Sequence, residues 1–157
     1  MAATSVIDET TVIGTWLRTI DGVPDNKINT VLPDVALWAD TGFVQIVGVV
    51  GGSPWIDAPV REPVIQLDTW GARLNTEKPD WGKASRLMNL ILAAATDPAT
   101  SVGVDLAFPD GQRARIISLW PLSVPRKPLG GIDQGDPASF ARLMIDVQMI
   151  WALVPSP

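Results

Sequence analysis

The sequence predicts one small α+β domain, and three observations predict it. Residues 64–70 (VIQLDTW) alternate apolar and polar side chains and are followed, after a polar connector, by an amphipathic helix over 80–95. Residues 102–108 and 113–119 flank an Asp110-Gly111 pair, a strong signal for a β-hairpin. Residues 139–153 alternate over a long run, with Leu143, Ile145, Val147, Met149 and Trp151 on one side and Arg142, Asp146 and Gln148 on the other. The chain of 157 residues has no internal repeat or linker. One domain of that length buries about 70% of its unfolded surface.

Each element has its own local reason. Residues 1–7 are small and mixed, and read as a flexible arm. Asp8 is placed to cap a helix running to about Thr19, with Val12, Ile13, Trp16, Leu17 and Ile20 on one face and Glu9 in the first turn. Asp21-Gly22-Val23-Pro24-Asp25 stops it. Residues 21–42 then show no strong periodicity and read as a long segment that orders only against a neighbour. Residues 43–50 are rich in Val, Ile and Phe and pair antiparallel with 64–70. The loop 51–63, with Pro54, Pro59 and Pro63, becomes the projecting tip of that hairpin.

Gly71 frees the backbone to turn, and Asp80 caps the next helix. Ala84, Leu87, Met88, Ile91, Ala94 and Ala95 form its buried face, which packs on the sheet face bearing Ile65 and Leu67. Asp97-Pro98 ends the helix. Pro121 and Pro125 confine the second hairpin strand to an edge, or to a strand that leaves the sheet. Residues 125–137 form a Pro/Gly-rich loop, and residues 155–157 a short tail.

Composition restricts the chemistry. With 46% hydrophobic and 18% charged residues, the chain forms a core. It has no Cys, His or Tyr, so thiolate and imidazole chemistry is excluded and the expectation is a protein that is not an enzyme. The longest apolar runs, such as 90–95, fall far short of the roughly 20 residues a membrane span needs. The amino terminus has no basic residue and no apolar core of a secretory signal, so the expected compartment is the cytoplasm. Residues 1–60 carry two basic and seven acidic side chains, while the rest carries ten of each. Such a chain has no basic footprint for phosphates, and no specific nucleic-acid binding is expected.

Several residues are candidates for contact. Trp38 lies in the aperiodic acidic segment, where the alternative is that it folds back onto the core. Pro54 and Trp55 sit at the hairpin tip. Arg113 and Arg115 share one strand face and offer at best a docking patch for an acidic partner, while Gln66 and Asp68 read as a solvated face. The glycine clusters at 48–52 and 130–135 lack the Gly-Lys-Ser/Thr of a phosphate loop and read as turns. Asp105 with Asp110, and Asp57 with Glu62, read as surface and turn carboxylates. No calcium-loop spacing occurs, so neither a catalytic pair nor a metal or cofactor is expected.

One combination resembles a family. It comprises a first helix over 8–19, a strand ending Gln66-Leu67-Asp68-Thr69-Trp70-Gly71 and a helix over 80–95. A later strand then leads into a Pro-rich stretch at 118–128, and a long alternating strand ends the chain. This resembles the tail-terminator (tail-completion, head–tail joining) proteins of long-tailed phages. The resemblance implies a mostly antiparallel sheet with helices packed on one face. It also implies a homo-oligomer, a hexameric ring on the head-proximal end of the virion tail, assembled in the host cytoplasm. Such a ring ends polymerisation of the tail tube protein and presents an interface to the head–tail connector protein. The resemblance implies no catalytic residue, no cofactor and no membrane. Asp21, Asp25, Asp34 and Asp40 are then candidates to face the lumen, where negative charge repels passing DNA. The hairpin 102–119 is longer than the family pattern requires. The alternatives are a neck or head-closure protein and, in a different class, a small ligand-binding α+β domain.

Overall fold

The computed structural model describes residues 7–54, 59–76, 78–128 and 140–155, except for the side chains of 53 and 54. The elements run α1 (Glu9–Arg18), β1 (Ile28–Asn29), β2 (Phe43–Pro54), β3 (Val60–Gly71), α2 (Trp81–Thr96), α3 (Pro98–Ser101), β4 (Val102–Ala107), β5 (Arg113–Pro121) and β6 (Ala141–Val154). They build a six-stranded sheet in the order β1-β2-β3-β6-β5-β4. Every neighbouring pair is antiparallel except β1 with β2. The helices pack on one face, and the α+β class expected from the sequence is the class found.

The helices start where side-chain oxygens cap free N–H groups. Asp8 accepts from the Thr11 N–H at 2.8 Å and Asp80 from the Lys83 N–H at 3.1 Å. Asp97 ends α2 and caps α3, accepting from the Ala99 N–H at 2.9 Å. Val12, Ile13, Trp16 and Leu17 of α1 share one core with Leu87, Met88 and Ile91 of α2. Beneath them lie Ile65 and Leu67 of β3 and Ile145, Val147, Met149 and Trp151 of β6. The α2 face expected from the spacing, Ala84 to Ala95, is the buried one.

Three expectations change. The segment 21–42 is packed rather than dependent on a neighbour. Val23 and Ile28 enter the main core, while Trp38, Ala39, Phe43 and Ala72 form a second cluster. Its apolar residues fall at irregular intervals because the segment turns repeatedly, through short 3-10 turns at Asp25–Lys27 and Val35–Leu37. The expected tip 51–63 is shorter, since pairing continues to Pro54 opposite Arg61. Two irregularities in β2, between Ile46 and Gly48 and between Val49 and Gly51, accommodate the extra residues. Finally, β5 is interior rather than an edge, lying between β6 and β4. Pro121 is tolerated because the pairing with β4 ends at Ser118.

Gly71 serves differently from the turn expected of it. A Cβ there would lie 2.1 Å from the Asp80 carbonyl oxygen and 2.9 Å from the Ala84 nitrogen. Glycine is needed so that the start of α2 can approach the end of β3. Gly71→Ala is therefore expected to cost about 3 kcal/mol or more, since the clash is with backbone. Gly14→Ala in α1 is the control, because the nearest atom to its Cβ is the flexible end of Arg18 at 3.2 Å. Urea unfolding of both variants checks this, and equal midpoints would contradict it.

Candidate functional site

The side chains opposite the helices carry most of the charge on the sheet. On β3, Ile65, Leu67 and Thr69 point to the helices, and the Thr69 hydroxyl donates to the Ala84 carbonyl at 2.9 Å. Gln66, Asp68 and Trp70 therefore point the other way. Asp68 was expected on a solvated face, yet it is fully buried. Its Oδ2 takes Arg142 Nε at 2.7 Å and Nη2 at 2.5 Å, and its Oδ1 accepts from Gln66 Nε2 at 3.0 Å. The Arg142 guanidinium also lies 5.0 Å from the Trp70 ring centre, and Trp70 Nε1 donates to Gln45 at 3.1 Å. The carboxylate thus ties β3 to β6, and the neighbouring Trp70 ties β3 to β2.

Other pairs continue across this face. Arg126 meets Asp146 at 3.0 Å and donates to the Ser123 hydroxyl at 3.0 Å. Gln148 donates to Glu62 at 2.7 Å. On the last hairpin, Arg115 grips Asp105 through two hydrogen bonds of 2.8 and 3.0 Å. These hydrogen bonds hold the Asp105 carboxyl below its ordinary value, with smaller help from the charges of Arg115 and Arg113, and raise Arg115.

The sequence-expected contact residues separate on this frame. Trp38 is fully buried, its Nε1 donating to the Pro33 carbonyl at 3.0 Å and its ring edge-on to Phe140 at 5.3 Å. It folds back because the second cluster needs a large apolar side chain over Phe43 and Ala72, so it is no contact residue on the isolated chain. Arg113 and Arg115 are exposed on the same face of β5, with Arg115 committed to Asp105. Pro54 ends β2, while its side chain and Trp55 lie outside the described residues. Asp21, Asp25, Asp34 and Asp40 are all exposed, and Asp34 caps a turn by accepting from the Ala36 N–H at 2.9 Å.

Two grooves border the β2 side of the sheet. One of about 360 Å³ is lined by Glu9, Val49, Gly51, Gly52, Arg61 and Glu62, among others. The second, about 270 Å³, lies between α1 and β1, with Thr11, Thr15, Arg18, Asn29 and Thr30 in its wall. Among the described residues, no three acidic side chains gather to hold a metal ion, and no helix is long and apolar enough to cross a membrane.

No family model and no curated protein matches the chain. Three chains of solved structure match it. One aligns over 92% of this chain and 89% of its own, at 10% identity and a TM-score of 0.41. A likeness at that level carries no functional argument.

The Asp105–Arg115 pair gives a pH test with a definite sign. A carboxyl lowered in the folded state contributes stability above its unfolded value, about 4. That contribution is lost as pH falls through the lowered folded value. The stability gap between wild type and Asp105→Asn is expected to be present at neutral pH and to close in acid, as thermal unfolding across pH would record. A gap that widens in acid would contradict the assignment.

Proposed function

We propose that this protein is a structural ring protein that caps a phage tail tube, ends its polymerisation and offers a surface to the head–tail connector. The observation that supports the reading is the stretch 66–71 in its setting. A strand closing on Asp68-Thr69-Trp70-Gly71 leads through an Asp-capped connector into α2, and a hairpin and a long final strand follow. That element order is the one the resemblance implies. The charge pattern fits the same role. Exposed Asp21, Asp25, Asp34 and Asp40 suit a lumen through which DNA passes, since like charge keeps phosphates from sticking.

A closed ring suits termination for a physical reason. Closure uses every lateral surface, so the ring can cap a polymer without becoming one. A neck or head-closure protein shares this outline, and the experiment separates the two. Deleting the gene from its phage and imaging lysates by electron microscopy is expected to reveal tails of uncontrolled length that fail to join heads. Tails of normal length on unjoined heads would instead assign the protein to head closure.

A further inference from the structure

The chain holds two Asp-Gly pairs, Asp21-Gly22 and Asp110-Gly111, and Asp-Gly is a dipeptide prone to rearrange its own backbone. The glycine nitrogen attacks the side-chain carboxyl carbon of the aspartate, forming an N–C bond and expelling water from the protonated carboxyl. Water then reopens the cyclic imide at the main-chain carbonyl, so that the chain continues through the side-chain carbon as isoaspartate. Nothing is oxidised or reduced, and the water lost in the first step returns in the second. Glycine permits the reaction because no Cβ hinders the rotation that brings nitrogen to carbon.

The fold treats the two pairs differently. At Asp110 both reacting groups are occupied. Its Oδ1 accepts from the Gln112 N–H at 3.0 Å and its Oδ2 from Gln112 Nε2 at 2.7 Å. The attacking nitrogen, that of Gly111, donates to the Phe108 carbonyl at 3.0 Å and closes that turn. Rotation of the Asp110–Gly111 peptide therefore breaks the turn. Asp21 is exposed, and among the described residues no hydrogen bond or ion pair holds its carboxylate or the Gly22 N–H. The bond that closes this turn runs past them, from the Val23 N–H to the Ile20 carbonyl at 3.2 Å. Gly22 has a φ of +89°, as glycine does at the third position of a type II turn. The Asp21–Gly22 peptide is then the central one, which turns over while the closing bond stays made.

We propose that Asp21 is a site of spontaneous modification, converting to isoaspartate in the folded protein while its turn protects Asp110. The change alters the packing beside it. Isoaspartate adds a carbon to the main chain between Ile20 and Val23, inside the turn that their hydrogen bond closes. Val23 follows directly and is buried in the main core. The chain then runs through the turn at Asp25–Lys27 to Ile28, buried in the same core, where β1 pairs with Val44 and Gln45. The modification therefore unseats Val23 and loosens the approach to β1.

The test ages the folded protein in warm neutral buffer and locates isoaspartate by peptide mapping with electron-transfer fragmentation. Isoaspartate is expected to accumulate at residue 21 on the order of tenfold faster than at 110, a ratio set by the hydrogen bonds that Asp110 and Gly111 must give up. In urea, where neither turn exists, the two rates are expected to converge. Equal rates in the folded protein, a faster rate at 110, or a ratio that persists in urea would overturn the proposal. Asp21→Glu is the control, since Glu-Gly must close a larger ring and rearranges far more slowly, with the charge kept at an exposed position. Aged wild type is expected to unfold at lower urea than fresh protein, while aged Asp21→Glu keeps its midpoint. An equal fall in both, or no fall in a sample carrying isoaspartate at 21, would overturn the effect on Val23.

Discussion

The register of β3 is the constraint on which the other packing depends. A slip of one residue would bring Gln66 and Asp68 into the helix-facing core and turn Ile65 and Leu67 outward. Three contacts hold the register. Asp68 is fixed to Arg142 of β6, Trp70 is tied to Gln45 of β2, and the Gly71 region accepts the first turn of α2. Thr69 adds a hydrogen bond from the strand to the helix. With β3 placed, Leu87, Met88 and Ile91 find their seats, each buried side chain contributing about 1.5–3 kcal/mol relative to exposure.

The same constraint gives the sheet two different faces. The helix side is apolar and continuous, whereas the other side is stitched by pairs: Asp68 with Arg142, Asp146 with Arg126, Asp105 with Arg115. Most of these charges are satisfied within the chain. Outside these pairs, Asp21, Asp25, Asp34 and Asp40 in the loops and Val47, Val49, Val50, Leu122 and Val124 are exposed.

Periodic elements were legible in the sequence because period and capping are local. Asp8, Asp80 and Asp97 sit within three residues of the N–H groups they cap, and the α2 face follows from spacing alone. Asp68 was misread because alternation assigns a face without saying what lies over it, and Arg142 stands 74 residues away. Trp38 was half legible, since an aperiodic segment hides a core residue that only the fold brings beside Phe43. Gly71 was singled out for the wrong reason. Its need for a missing side chain comes from the Asp80 carbonyl, which no turn signature records. Nor does the sequence reveal which exposed residues share a row, because height on a sheet is set by pairing.

A double-mutant cycle on Asp68 and Arg142 tests most directly whether this pair holds the register. Stabilities of wild type, Asp68→Asn, Arg142→Gln and the double variant are measured by urea unfolding. The account predicts a coupling of about 1–3 kcal/mol, since one group is buried and the two are in direct contact. Single effects that add to within about 0.5 kcal/mol would contradict it.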